Sequence, residues 1–170
     1  YPSAESLSQL TSGRTLGTQN AFLPPEMNQS FEVGTKWNLF AGTLETTAAL
    51  FRLEKDNARI PGPVAGVNIL GGAQQVDGFE LSVSGNITPQ WRARAGYSYL
   101  DSHTVATAPG GAVLGSPLVN TPKDAASFWS DYDILPDWTV GTGGQYVSQR
   151  LAQNTAASYL VAPPYYTLDA

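Results

Sequence analysis

The chain has 170 residues, 42% of them apolar and only 14% charged, with 17 glycines and 12 prolines. So much glycine and proline argues against a fold of long helices, and no apolar run approaches the ~18 residues of a transmembrane helix. A net charge of −5 leaves no basic stripe for nucleic acid, and the lack of cysteine removes disulfide frameworks and thiolate metal sites.

Residues 1–29 are polar and turn-rich, without a sustained period, and read as a long loop ending in Leu23-Pro24-Pro25-Glu26. The opening YPSAES has no charged and apolar leader pattern, so an exported chain of this kind is expected to be mature or part of something longer. From Phe31 to Leu39 the residues alternate: Phe31, Val33, Thr35, Trp37 and Leu39 against Glu32, Gly34, Lys36 and Asn38. Alternation of this kind is a strand with one apolar and one polar face. Phe40-Ala41-Gly42 reads as a tight turn with glycine at the left-handed position.

A second strand runs from Thr43 to Glu54, with an ambiguous phase. Leu44 and Leu50 fall on one side, Phe51 and Leu53 on the other. Arg52 and Glu54 are assigned to the polar side, because charge facing lipid costs more than a misplaced leucine. A Gly/Pro-rich loop follows at 55–73.

Residues 75–102 then form the clearest hairpin. Phe79, Leu81, Val83, Gly85 and Ile87 alternate with Glu80, Ser82, Ser84 and Asn86. After Thr88-Pro89-Gln90, Trp91, Ala93, Ala95, Tyr97 and Tyr99 alternate with Arg92, Arg94, Gly96 and Ser98. Each run lasts about ten residues, the length that crosses a bilayer when tilted, and aromatics mark the ends of the apolar face. Parity and the turn at Pro89 predict that Phe79 faces Tyr99, Leu81 faces Tyr97, Ser84 faces Arg94 and Ile87 faces Trp91.

A loop at 103–121 leads to strands at Asp124–Ile134 and Trp138–Gln149, turned at Pro136, with Phe128 predicted to face Gly144. A third loop spans 150–162, and Tyr165–Ala170 begins a further strand. The pattern Ile-x-Pro-x-Trp occurs twice, at Ile87–Trp91 and Ile134–Trp138, 47 residues apart. Short turns alternate with long loops, as on the two rims of an outer-membrane barrel. The reading is therefore all-β: an antiparallel meander of about seven long strands, forming an open barrel segment over residues 30–170. Residues 1–29 and the three long loops fall on the extracellular side.

Catalytic signals are weak. His103 beside Asp101 reads first as a solvated rim residue, with a barrel enzyme as the remote alternative. Asp131 and Asp133 share one polar face, where a cation or plain hydration would suit them. Arg92 and Arg94 face Glu80 and Ser84 on the paired strand, so ion pairing is expected there. Asn28-Gln29-Ser30 and Asn86-Ile87-Thr88 match the glycosylation pattern, the second by coincidence if Asn86 lies inside a barrel. No hydrolase, phosphate-loop or metalloprotease motif is present, and no enzyme activity is expected.

The stretches LPPEMNQSFEVGTKWNLFAGTLETTAALFRLEKDNAR, VDGFELSVSGNITPQWRARAGYSYLDS, NTPKDAASFWSDYDILPDWTVGTGGQYVSQR and YYTLDA together resemble the barrel of TonB-dependent siderophore receptors, particularly of the ferric catecholate type. The resemblance implies an outer-membrane protein that imports a ferric siderophore. It also implies a 22-stranded barrel filled by a plug domain, energised through the TonB complex, and bounded by outer-membrane lipid and lipopolysaccharide. Against that pattern the chain lacks a plug region, the earlier strands and the last strands, and is expected to be a slice of the C-terminal half of the barrel. No resident cofactor is implied, the ferric siderophore being cargo. No ligand residue carries over by position; Asn57, Arg59, Asn68 and His103, in the loops, are the candidates for contact with it. A passive pore or a surface barrel is the alternative function.

Overall fold

The structure, a computed structural model, describes residues 25–61, 68–107, 112–155 and 158–170. Nine strands follow in order: β1 (Met27–Leu39), β2 (Leu44–Pro61), β3 (Asn68–Thr88), β4 (Trp91–Ala106), β5 (Asp124–Leu135), β6 (Trp138–Val147), β7 (Arg150–Thr155), β8 (Ser158–Ala162) and β9 (Tyr165–Asp169). Strands β1 to β6 and β9 make one seven-stranded sheet in chain order, antiparallel throughout, and β7–β8 form a separate hairpin. The seven-stranded meander expected from the alternation is present. Among the described residues β1 pairs only with β2 and β9 only with β6, so the sheet is open.

Cross-strand pairs share a face, and the register sorts the two faces without ambiguity. On the apolar face Val33, Leu50, Phe79 and Tyr99 form one ladder. A second ladder runs through Trp37, Thr46, Val83, Ala95, Phe128, Gly144 and Leu168. None of the described residues covers this face: Val33 is 69% exposed and Leu168 81%. The opposite face carries Lys36, Glu45, Glu80, Arg92, Arg94, Asp131 and Gln145. Apolar outside and polar inside is the division a membrane barrel imposes.

The central hairpin has the expected register, with Phe79 opposite Tyr99, Leu81 opposite Tyr97 and Ser84 opposite Arg94. Phe128 faces Gly144, and its ring comes within 3.2 Å of where a glycine Cβ would be. The parity rule fails at the tip. Trp91 pairs with Thr88 rather than Ile87, because the register shifts by one between Asn86 and Thr88. The same shift occurs between Asp133 and Leu135, so Trp138 pairs with Leu135. The repeat Ile-x-Pro-x-Trp thus encodes one device used twice: a two-residue Pro-x turn beside a bulged isoleucine. Neither Gln90 nor Asp137 has positive φ, as a type I turn with proline at its second position requires. Type I turns splay the strands they join, and a bulge restores the right-handed twist. At the first turn Phe40, Ala41 and Gly42 all have positive φ, not the glycine alone.

Successive turns are staggered. Leu39 pairs with Leu44, level with Gly85 and Ala93 along the ladder; Trp91 lies two residues beyond Ala93. Trp91 is level with Tyr132 and Val140, and Trp138 lies two residues beyond Val140. Each hairpin therefore slides two residues, roughly 7 Å, over a width of roughly 9.6 Å, which corresponds to a strand tilt of about 35°. Corrected for this slant, Trp37, Trp91, Tyr132 and Trp138 fall within about one residue of a common level. Phe31, Phe79, Tyr97, Tyr99, Tyr146 and Tyr166 form a second band roughly seven residues higher, about 20 Å along the barrel axis. Among the described residues no charged side chain faces outward between the two bands. Two aromatic girdles enclosing an apolar belt of about 25 Å is the transmembrane pattern.

The structure departs from sequence expectation in three further places. Arg52 and Glu54 are not on the polar face: Arg52 pairs with Phe31 and Asp77, and Glu54 with Gln29 and Gln75, on the outward side, while Phe51 and Leu53 face inward. Arg52 escapes the lipid penalty because it stands at the upper aromatic band, where Nε and Nη2 donate to Asp77 at 2.6 and 3.2 Å. Much of 55–73 is strand rather than loop, with β2 reaching Pro61 and β3 starting at Asn68 across two register shifts. Likewise β4 continues to Ala106, and 150–162 holds the β7–β8 hairpin. Strand β1 begins at Met27, within the stretch read as loop; residues 1–24 lie outside the described residues.

Candidate functional site

Apart from glycines, every buried residue among those described lies above the upper aromatic band: Ala58, Ser102, Thr104, Ser148, Leu151 and Asn154. Ala58 lies on the β2–β3 hairpin, and the others belong to one assembly at the mouth. The segment 112–121 folds back against the inward face of β4, where Leu118 N donates to Ser102 Oγ at 3.1 Å and Thr104 N donates to Ser116 O at 2.9 Å. Gly115 N returns a bond to Thr104 O, and Asn120 N donates to Leu151 O. Asn154 closes the arrangement from β7, its amide donating to Pro117 O at 3.2 Å and to Ser116 Oγ. The mouth is thus built from chain segments far apart in sequence, held by backbone, hydroxyl and side-chain amide groups.

Two hollows flank this assembly. One, of about 280 Å³, has an apolar floor of Leu53, Val76 and Leu118 with Asn28, Lys55 and Gln74 around it. The other, of about 270 Å³, lies between Pro117, Lys123, Arg150, Leu151 and Tyr159. Lys123 Nζ stands 5.2 Å from the centroid of the Tyr99 ring, and the Arg150 guanidinium 5.7 Å from that of Tyr165. Inward Phe51 and Leu53 explain why β2 has no clean period: Leu53 serves an apolar hollow inside an otherwise polar lumen, and the Phe51 ring lies against Gly78 on the facing strand.

Glu26 fixes the base of the β2–β3 hairpin, accepting from Lys55 Nζ at 2.8 Å and from Arg59 N at 3.0 Å. Partial burial disfavours its charge, but the bonds from Lys55 and the Arg59 backbone, with both positive charges, hold its pKa below the ordinary glutamate value. Of the candidate contact residues, Asn57 occupies a left-handed position (φ 56°) in the irregular stretch of β2, and Arg59 follows two residues later. Asn68 pairs with Pro61 at the tip of the same hairpin. His103 is elsewhere: it pairs with Gln75 on the outward face, with Nε2 3.2 Å from Asp101 Oδ2. Three of the four share a hairpin, and His103 is directed away from the lumen.

Lower in the lumen the two arginines part company. Arg92 makes a bidentate pair with Asp133, at 2.8 and 2.9 Å, and Thr139 Oγ1 donates to the same carboxylate at 2.7 Å. The expected pairing with Glu80 does not form. Arg94 has no ion-pair partner among the described residues; its guanidinium lies 5.7 Å from the centre of the Trp129 ring. Trp129 Nε1 donates to Asp131 Oδ1 at 2.8 Å. Its ring lies flat on Gly141 and Gly143, where added Cβ atoms would come within 3.1 and 2.2 Å of it. Asp131 and Asp133 are thus each engaged, and no group of three metal-ligating side chains occurs among the described residues. Alternation alone gave no sign of the Trp129 platform. The clue was the i, i+2 glycine pair on the strand facing it.

Residues 2–170 match the family model "TonB dependent receptor-like, beta-barrel". The chain is 38% identical over 166 residues to the probable TonB-dependent siderophore receptor PiuA of Acinetobacter baumannii, covering 92% of this chain and 22% of that protein. It is 37% identical over 142 residues to the catecholate siderophore receptor Fiu of Escherichia coli K12, covering 83% and 18%. The crystal structure of PiuA superposes with a TM-score of 0.79 at 34% identity over 94% of this chain and 24% of that one. The closed form of Fiu gives 0.72 at 28% identity over 91% and 22%. The chain therefore spans about a fifth of the length of these relatives. A tilted, girdled, seven-stranded wall with these relatives leaves one assignment: the chain belongs to the TonB-dependent receptor β-barrel family of the outer membrane.

Proposed function

We propose that the protein carrying this chain imports ferric siderophores across the bacterial outer membrane with energy from the TonB system. The observation that carries the reading is the pairing of a lipid-facing wall with a packed mouth that opens hollows towards the lumen, in a chain whose relatives are named siderophore receptors. In this reading the wall is completed by further strands into a 22-stranded barrel. Iron is cargo rather than a resident cofactor, and no covalent chemistry is performed on it. Asn57, Arg59 and Asn68 on the β2–β3 hairpin are the ligand-contact candidates; His103 instead faces the outer leaflet. With Arg52, Asp77 and Asp101 it stands at the level of lipid and lipopolysaccharide headgroups.

The test is uptake of ⁵⁵Fe-labelled siderophore by a receptor-deficient strain expressing the full-length protein, with and without a functional TonB complex. Saturable, TonB-dependent accumulation is expected. Unsaturable entry that ignores TonB would instead identify a passive pore.

A further inference from the structure

We propose that the outer edge of β8 is a docking strand for a second protein: an extended peptide segment, apolar at alternate positions and acidic at its ends, adds to it as a further strand. The site lies outside the membrane and does not depend on the import reading above.

Among the described strands, β7 and β8 stand apart from the main sheet, and the two sides of their hairpin are treated differently. The far side of β7 is occupied: Val119 bridges to Leu151, and Asn120 N donates to Leu151 O at 2.8 Å. The far side of β8 has no strand partner among the described residues. Half of its backbone N–H and C=O groups point away from β7 and offer a ladder, as on any edge strand. Proteins ordinarily guard such edges with charge or proline. Ser158–Ala162, SYLVA, has neither. Tyr159, Leu160 and Val161 are 64, 57 and 42% exposed, and being consecutive they face both ways. Pro163 and Pro164 follow at once and end the edge, because without an N–H they cannot extend a ladder. The hairpin stands above the upper aromatic band with Leu151 and Asn154, so lipid does not cover it.

The surroundings specify the peptide. Tyr159 and Val161 share the face that closes the hollow of about 270 Å³, where Pro117 and Leu151 supply apolar surface. An added strand places every second side chain beside that face. Lys123 and Arg150 line the same hollow, each over an aromatic ring, and neither makes an ion pair among the described residues. Asp124, also in the lining, accepts from Tyr97 Oη at 2.6 Å. The remaining positive charge favours an acidic peptide. Five residues are an ordinary strand length but too little contact to hold two barrels together, which favours a peptide over a second copy of the chain.

The experiment uses the full-length protein purified in detergent and three fluorescent peptides of about seven residues. One alternates valine and threonine between terminal glutamates, one has terminal lysines instead, and one is the glutamate peptide N-methylated on both backbone edges. By fluorescence anisotropy the glutamate peptide should bind saturably, and the other two at least about tenfold more weakly. Lys123→Glu combined with Arg150→Glu should reverse the preference towards the lysine peptide. Leu160→Cys should be labelled in intact cells by a membrane-impermeant maleimide, and the glutamate peptide should protect the introduced thiol. Heat-modifiable migration on gels checks that each barrel has folded; if the double variant does not fold, protection of the thiol decides. Equal binding of the methylated and unmethylated peptides overturns the inference, as does an unchanged preference in the folded double variant. No labelling of Leu160→Cys would show the edge covered by the protein's own segments, and a disulfide-linked dimer would show a second copy there; either also overturns it.

Discussion

Wall and mouth are held together by different means, although the same strands run through both. Between the aromatic bands the sheet is one layer thick, and its side chains face lipid or lumen. Cohesion there comes from ladder hydrogen bonds and from what surrounds the wall. Above the upper band, β4, the 112–121 segment and the β7–β8 hairpin bury Ser102, Thr104, Leu151 and Asn154 against one another. The wall tolerates change by face and depth, whereas the mouth tolerates it by contact. Substitutions should separate the two.

The largest effect belongs to the lipid face. Ala95→Arg puts a cation near the middle of the apolar belt, and Ser82→Arg puts the same cation in the lumen. The first should cost about 2–4 kcal/mol of folding free energy and the second less than about 0.5. Urea unfolding of the full-length protein in lipid checks the difference; equal costs would mean the faces have been assigned wrongly.

Next comes the inner wall. Gly143→Ala would place a Cβ 2.2 Å from Trp129 Cε3 and 2.8 Å from the Phe128 carbonyl oxygen. The indole must leave its platform, at a cost of about 1–3 kcal/mol. Near-ultraviolet circular dichroism should report the loss of its fixed environment.

In the mouth, Asn154→Ala removes the donor to Pro117 and Ser116 and should cost about 1–2 kcal/mol locally. Hydrogen exchange should quicken across 113–121 while the amides of β5 and β6 keep their protection. Faster exchange in both would show that wall and mouth unfold as one unit.

The smallest effect is a titration. The pKa of Glu26 is lowered in the folded protein, so its contribution is complete above the ordinary glutamate range and is lost as pH falls through the lowered value. The group is partly solvated, which limits the effect to under about 1 kcal/mol. Protection of the Arg59 amide, relative to its intrinsic exchange rate at each pH, should fall on acidification below the glutamate range, and Glu26→Gln should abolish that change.

Wall and mouth also differed in how much of them could be read from the sequence. The hairpins at Pro89 and Pro136 were legible because a period of two and a proline turn leave few registers. The one-residue errors at Ile87 and Ile134 arose because parity cannot see a bulge. Phase failed in β2 because two features compete there: Arg52 sits where the lipid ends, while inward Leu53 lines a hollow and inward Phe51 covers Gly78. Alternation encodes faces, but not height along the barrel. The outer reaches of β2, β3 and β4 are wet on both sides, so nothing in their composition distinguishes strand from loop. The mouth was illegible for a deeper reason. Asn154 meets Ser116 and Pro117, and Ser102 meets Leu118, through a few isolated hydrogen bonds across long chain separations, which leave no periodic trace. Family resemblance, by contrast, could be read from short stretches along most of the chain.

The count of seven in the main sheet carries a topological consequence. In an antiparallel run of odd length the two outer strands, β1 and β9, point the same way. The β7–β8 excursion, being even, leaves that unchanged. Two such sheets joined head to tail would bring like-directed strands together and break the alternation. Whatever closes this wall into a cylinder must therefore supply an odd number of further strands. A two-fold pairing of β1 with another β1 would satisfy the bare edge locally, yet it would leave each β9 exposed.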